Sequence, residues 1–486
     1  MAFNLLVAFS AAYGVFLFAV AFAAERNAAR GGIGWLRSPL VYTLSLSVYC
    51  TAWTFYGAVG YAARSGLEFV TIYLGPTLVF AGWWLILRKL VRVGRTQRIT
   101  SIADLISSRY GKSNALAVLV TVLAVVGTTP YIALQLQSIS LSFGVFGGVE
   151  DAVDTSTGLW VALGLAVFAT LFGTRNLDAN ERHHGVVMAI AVEAVVKLVA
   201  LVSVGIFVVW GLADGPLDIL DRIDSSPISQ WEVDPGRWAG LIFASAAAIL
   251  CLPRMFQVMV VENVDEAHLA TASWAFPLYL FAMSLFVVPV AVIGLEITPG
   301  ANPDLFVLTL PLNAGQDGLA MLAFLGGFSS ATSMVIVAAL ALATMVSNHI
   351  VMPLYLSHRS GGAIVSGDVR NVVLRARRFS IFGVLCLGYL YYRISGGSAA
   401  LASIGLIAFV GVAQVLPALL GGLFWRGATR VGAAAGLVLG FVIWGYTLFL
   451  PSFGPGGPIN AELLANGPWG IEILRPQALF GVEGMD

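Results

Sequence analysis

Twelve apolar stretches, each close to the roughly 20 residues a helix needs to cross a bilayer, recur near 4–24, 40–62, 69–91, 114–142, 157–173, 185–211, 238–260, 269–295, 318–353, 379–397, 399–424 and 431–450. With 58% of its 486 residues apolar, 11% charged and a mean hydropathy of +0.88, the chain has too few polar groups to face water on all sides. Lipid is therefore its solvent, and the expected fold class is an all-α polytopic membrane protein. The first stretch has no basic n-region and no small-residue cleavage site, so it counts as a retained span and not as a signal peptide.

Charge placement gives the expected orientation. The connections 25–39, 88–112, 174–184, 254–266, 355–378 and 425–430 hold 20 of the 26 basic residues. The opposite set holds Arg64, Arg222, Arg237, Arg393 and Arg475, and Lys197 lies within a span. The basic loops belong in the cytoplasm, which puts the N-terminus outside. Acidic stretches such as Glu150, Asp151 and Asp154, and Asp214, Asp218, Asp221 and Asp224, then fall outside as well. Residues 1–450 read as one membrane domain with a first helix at 4–24, core repeats at about 40–211 and 238–424, and an extra helix at 431–450. The Gly/Pro-rich segment 451–486 reads as a periplasmic tail, with a thirteenth span expected beyond it. Between the third and fourth spans, Ser101 and Asp104 form a capping-box pattern. The apolar stripe of Ile99, Ile102, Leu105 and Ile106 suggests a helix lying on the cytoplasmic surface.

A helix in hydrocarbon can break only where protein or a watery cavity satisfies the freed backbone groups, so interrupted spans point to binding sites. Span two has a polar and aromatic run from Ser45 to Tyr56 followed by Gly57 and Gly60, and span seven has Pro253 inside Cys251-Leu252-Pro253-Arg254. They open two consecutive five-span sets, as an inverted-repeat carrier requires; ordinary kinks are the plainer alternative. Span nine places Ser329, Ser330, Thr332 and Ser333 after Gly326 and Gly327 in mid-membrane, as ligands for a small cation or as small residues for close helix packing. In span six Glu193 and Lys197 stand i,i+4, about 14 and 20 Å from the helix start at ~1.5 Å per residue. Charges at that depth are costly, which makes them a proton-coupling or a structural buried pair. Span four gathers Thr128, Thr129, Pro130, Tyr131, Gln135 and Gln137 around a kink, where they line a cavity or bond to neighbouring helices.

Other chemistry is excluded. Cys50, Cys251 and Cys386 lie in apolar runs without metal-type spacing and read as inert core thiols, and His183 and His184 read as solvated loop residues. The chain has no nucleotide loop, catalytic triad or metal motif, so no enzyme activity is expected. Basic and acidic residues number 26 each, so no nucleic-acid partner is expected either.

The run Leu416-Pro417-Ala418-Leu419-Leu420-Gly421-Gly422-Leu423-Phe424-Trp425-Arg426, with Gly432 to Gly436 after it, resembles the penultimate-helix region of the sodium/solute symporter family. The segment Thr100 to Gly111 resembles the same family. Tyr42 to Tyr49, Phe172-Gly173-Thr174-Arg175, Ala189 to Leu198 and Ser347-Asn348-His349 resemble its branch fused to sensor histidine kinases. The resemblance implies a leucine-transporter-type fold, five plus five inverted repeats behind an extra first helix, in a bacterial inner membrane. It also implies a sodium site made by Ser329, Ser330 and the carbonyls of Gly326, Cys50 and Trp53. One departure stands out. Proline-transporting relatives carry an Asp where this chain has Ala52, which leaves Na+, H+ and no coupling ion all open.

The expected function is secondary transport of a small solute, an amino acid such as histidine or a short carboxylate, as the input module of a sensor kinase whose cytoplasmic domains lie on the same chain. The rival is a receptor that keeps the carrier fold without transporting. The solute is expected between the breaks of spans two and seven, against Trp53, Tyr56, Thr129, Gln135 and Gln414. No cofactor is expected beyond a coupling Na+.

Overall fold

The computed structural model describes residues 3–31, 34–35, 37–147, 155–173, 184–359, 370–395, 401–454 and 460–481. Glu150, Asp151, Asp154, Arg175 and His183 fall outside them. In the described residues the first half of the chain forms α1 (Phe3–Ala29), α2 (Pro39–Ser45), α3 (Ala58–Ser65), α4 (Thr71–Ala81), α5 (Leu87–Thr96), α6 (Ile102–Arg109), α7 (Asn114–Gly147), α8 (Thr155–Gly173), α9 (His184–Phe207) and α10 (Pro216–Ser225). The second half forms α11 (Pro235–Cys251), α12 (Pro253–Phe256), α13 (His268–Ser284), α14 (Val287–Ile297), α15 (Phe306–Asn313), α16 (Asp317–Val346), α17 (Met352–Arg359), α18 (Arg370–Ile394), α19 (Leu401–Ala413), α20 (Leu416–Phe424), α21 (Arg430–Trp444) and α22 (Ala461–Asn466).

Two five-membered sets are visible in this order. Each opens with a broken helix (α2 to α3; α11 to α12) and continues with an interrupted pair (α4 and α5; α13 and α14). A short connecting helix follows (α6; α15), and three further segments close each set. The chain is thus an all-α polytopic membrane protein of the five-plus-five type, with α1 in front and α21 behind. The caps fix where the broken members start. Ser38 Oγ accepts from Val41 N at 3.3 Å ahead of Pro39, and Asp234 Oδ1 accepts from Gly236 N at 2.8 Å and Arg237 N at 3.1 Å ahead of Pro235.

Among the described residues seven helices are long and apolar enough to cross a bilayer, and an eighth span forms if Pro235–Cys251 and Pro253–Val261, meeting at 53°, are one bent span. The other four expected stretches, 40–62, 69–91, 157–173 and 379–397, fall on shorter, interrupted or charge-bearing helices. The outer surface is apolar, with Val15, Phe16, Trp160, Phe243, Phe281, Phe379 and Val431 exposed, as lipid requires. Inside, α16 packs on α9 and α7, α19 on α7, and α4 on α11 and α13. Single π turns widen several helices, at Trp53–Gly57, Val208–Leu212, Gln257–Val261, Ser347–Val351 and Gly445–Phe449.

Ion pairs tie both ends of the bundle. At one end Glu266 is held by Arg88 at 2.6 Å and Arg92 at 2.8 Å. At the other Asp304 meets Arg64 at 2.5 Å, and Glu68 meets Arg237 at 2.7 Å.

Four expectations from sequence need correcting. Arg254 does not belong to a cytoplasmic loop: it stands at the start of α12 and is completely buried. The apolar stripe of α6 faces protein, not lipid, because Arg109 Nε donates to Gly422 O at 2.8 Å and Tyr110 Oη to Ala418 O at 3.0 Å, docking the helix on α20. Its capping box forms as read, with Ser101 Oγ accepting from Asp104 N at 3.1 Å and Asp104 Oδ2 from Thr100 N at 3.0 Å. Cys50 and Cys251 are buried, but Cys386 is on the exposed side of α18 and is no core thiol. His184 opens α9 and lines a crevice with Arg37, Glu262 and His268, so it is not a free loop residue.

Candidate functional site

Span two comes apart at Cys50, whose φ of −78° and ψ of 97° leave the helical region. A break there frees backbone groups that hydrocarbon cannot satisfy, and neighbouring helices of the same repeat satisfy them. Gln135, from α7, accepts from Ala52 N at 3.1 Å through Oε1 and donates to Tyr131 O at 3.1 Å. Thr51 Oγ1 accepts from Trp53 N at 3.2 Å and bonds Tyr131 Oη at 2.9 Å. Lys197, from α9, donates its ammonium to Ser47 O at 2.6 Å and Cys50 O at 2.8 Å. Past the break, Trp53 is buried and donates Nε1 to Ala402 O at 3.2 Å, which joins it to the start of α19.

Span nine meets this break through its glycines. A Cβ on Gly326 would press on Phe55 and Ala200, and one on Gly327 would lie 1.9 Å from Tyr56 Oη. The missing side chains therefore let α16 sit directly on the second half of span two. Beyond them Ser329 Oγ accepts from Tyr13 Oη of α1 at 2.8 Å, Ser330 Oγ donates to Gly326 O at 2.8 Å, and Thr332 Oγ1 donates to Glu193 Oε1 at 3.3 Å. Each atom expected to hold sodium already has a hydrogen-bond partner. Cys50 O faces the Lys197 ammonium, Trp53 O takes Ala58 N, and Gly326 O, Ser329 and Ser330 are engaged as described.

Glu193 and Lys197 are both buried, yet among the described residues they form no ion pair with each other. One helical turn separates their tasks: Lys197 closes the break, and Glu193 lines a narrow crevice with Leu17, Phe168, Val186, Ser333 and Ile336. Two sequence candidates stand elsewhere. Thr129 spends its hydroxyl on Val125 O at 2.8 Å within α7. Gln414 donates to Val410 O at 3.1 Å and lies against Gly440 of α21, roughly 18 Å along the helix from Ala402 at 1.5 Å per residue.

The second break is at Leu252, whose ψ of 126° is the extended conformation that a following proline imposes. α12 packs against the 3₁₀ turn Leu46–Tyr49, so the two broken helices meet. Arg254 projects from that junction with its guanidinium carbon 4.3 Å from the centre of the Tyr131 ring. Tyr131 stacks in turn on Phe409 of α19, with ring centres 5.6 Å apart. Sequence reasoning missed Arg254, Tyr13 and the capping role of Thr51. The run Met255 to Val261 that continues after Arg254, apolar but for Gln257, is the available sign that it is embedded.

No family model matches the chain. It is 24% identical over 431 residues to the uncharacterized symporter YodF of Bacillus subtilis (strain 168), covering 83% of this chain and 79% of that one. It is 23% identical over 423 residues to the uncharacterized symporter YhjB of the same organism, covering 84% and 80%. In structure it is similar to a Na+-coupled sialic acid symporter in its substrate-bound, outward-open state, with a TM-score of 0.67, 14% identity and coverage of 98% and 97%. It is also similar to a manganese transporter of Eremococcus coleocola, with a TM-score of 0.52, 13% identity and coverage of 92% and 93%. These relatives accord with the expectation that the chain carries no enzyme chemistry. The chain is a multi-pass membrane protein with the fold of a solute transporter.

Proposed function

We propose that the chain is a secondary symporter that carries a small polar solute, an amino acid such as histidine or a short carboxylate, between the breaks of spans two and seven. Coupling is to H+ through Glu193, with no Na+ at span nine. The observation that carries the choice of ion is the Lys197 ammonium on the Ser47 and Cys50 carbonyls. It is a tethered cation at a backbone oxygen that a sodium ion would need. Ser329 is likewise committed to Tyr13. The naming of the two Bacillus relatives as symporters supports transport; Na+ coupling is a property of the sialic acid symporter.

Twelve spans in a bacterial inner membrane, with the N-terminus outside and the 88–112 and 355–378 loops in the cytoplasm, complete the reading. Purified protein in liposomes tests it. An imposed pH gradient should drive uptake and a Na+ gradient should not. Glu193→Gln should abolish the pH dependence while solute binding persists. Accumulation driven by Na+ at constant pH refutes the coupling.

A second reading, a non-transporting receptor serving as input module of a sensor histidine kinase, is favoured by the motifs Tyr42 to Tyr49 and Ser347-Asn348-His349 alone. Solute binding without uptake in the same liposomes selects it.

A further inference from the structure

Arg254 is fully buried, and a guanidinium remains charged in any protein interior. Among the described residues none of its three nitrogens makes a hydrogen bond, and no carboxylate pairs with it. Its guanidinium lies over the face of the Tyr131 ring. The neighbouring hydroxyls, Tyr131 Oη bonded to Thr51 at 2.9 Å and Tyr49 Oη donating to Ile72 O at 2.8 Å, carry no counter-charge. Lys197 lies within electrostatic reach and adds a second positive charge. Glu193, one turn from Lys197, bonds Thr332 and lines the crevice of Leu17 and Val186. The meeting point of the two broken helices therefore holds two positive charges, and among the described residues no carboxylate pairs with either. An isolated buried charge is too costly to keep without a counter-charge.

We infer that Arg254 is the anion-binding group of the solute site and that the solute carries a carboxylate, gripped through the guanidinium fork beside the Tyr131 ring. The inference rests on the symporter reading and names the residue that holds the solute's carboxylate. A carboxylate of the solute supplies the missing counter-charge. The planar fork matches both oxygens of a carboxylate. Tyr49, Tyr131 and Phe409 form an aromatic wall for the rest of the molecule.

The test uses the full chain in lipid nanodiscs, with calorimetric titration of acetate, propionate, L-alanine and L-histidine against their primary amides. At least one acid should bind at millimolar concentration or below, and its amide should bind about 30-fold or more weakly, because the fork would lose a charge-assisted partner. Arg254→Lys should weaken the acid by about 10- to 100-fold, since charge remains and the second hydrogen bond is lost. Arg254→Gln should erase the preference of acid over amide. Equal binding of acid and amide by the unmodified protein overturns the inference, whether or not the variants fold. So does a panel in which no acid binds, or a protein that responds to chloride alone, which would mark an adventitious ion only. Uptake by liposomes of a small solute that carries no carboxylate would leave secondary transport standing while sinking the Arg254 assignment.

Discussion

Replacing Lys197 with Met keeps the unbranched stem and removes only the terminal ammonium, so the effect reports chiefly on two hydrogen bonds, 2.6 and 2.8 Å long, to Ser47 O and Cys50 O. A hydrogen bond to a charged group contributes about 1.5–3 kcal/mol net, giving about 3–6 kcal/mol for the pair. Repulsion from Arg254 pulls the value toward the lower end. At roughly 2.1 cal/mol/K of unfolding entropy per residue, 486 residues amount to about 1 kcal/mol/K, so Tm should fall by about 3–6 °C. The vacated carbonyls are hard oxygen ligands. Sodium should then stabilise Lys197→Met, by about 2.7 kcal/mol or nearly 3 °C at a hundred times its dissociation constant, and should not stabilise the parent. The assay is intrinsic tryptophan fluorescence on heating, in sodium, potassium and choline chloride at equal ionic strength. A parent that melts higher in sodium than in potassium would refute the reasoning, since a Na+ site would then coexist with the ammonium. A Lys197→Met protein that melts like the parent in choline would refute it too.

Gly327→Ala should destabilise by about 1–3 kcal/mol through overpacking, because its Cβ would fall 1.9 Å from Tyr56 Oη. On a Tyr56→Ala background, which removes the side-chain atoms at 1.9, 2.1 and 2.3 Å, the same change should cost little, and an equal loss there would show that the clash lies elsewhere. Asp304→Asn should cost about 1.5–3 kcal/mol, because the carboxylate serves Arg64 at 2.5 Å and Leu401 N at 3.1 Å; a thermal melt matching the parent contradicts this. Hydrogen bonds from Arg92 and Arg88 hold the Glu266 carboxyl down at about 2. The group's contribution is therefore complete above the ordinary value of about 4.3 and is lost as pH falls toward about 2. Glu266→Gln should thus melt slightly below the parent at neutral pH, and the gap should close only in strong acid; closure well above about pH 4 speaks against the pairing.

What the sequence made legible follows from the cost of polarity in lipid. Charges as deep as Glu193 and Lys197, and a proline inside an apolar run, are conspicuous because hydrocarbon excludes them unless something compensates. The partners of those groups are long-range facts that periodicity does not carry. Lys197 reaches back 147 residues to Cys50, and Ser329 is met by a tyrosine 316 residues away in the first helix. Gln135 reads as a solute ligand because amides suit that task, but the break takes its oxygen and its own helix takes an amide N–H. Gln414 was placed by the same chemistry and lies against α21, since composition does not tell which face of a helix turns inward. Arg254 was miscounted because loop boundaries were drawn at charges, and here the charge marks a break inside the membrane.

The π turn at Trp53–Gly57 carries a consequence for how relatives of this chain should be aligned. Such a turn holds one more residue than the regular spiral, so everything after it is rotated by about 100° relative to an uninterrupted helix. Removing a single residue there would let the helix run on smoothly and would swing Gly60 and Arg64 away from Asp304, against which Gly60 fits without room for a Cβ. A homologue lacking one residue between 53 and 57 would have to rebuild that corner from different side chains, while one that keeps the residue can keep the ion pair even where identity is low. The residue count within this turn therefore bears directly on whether that corner survives.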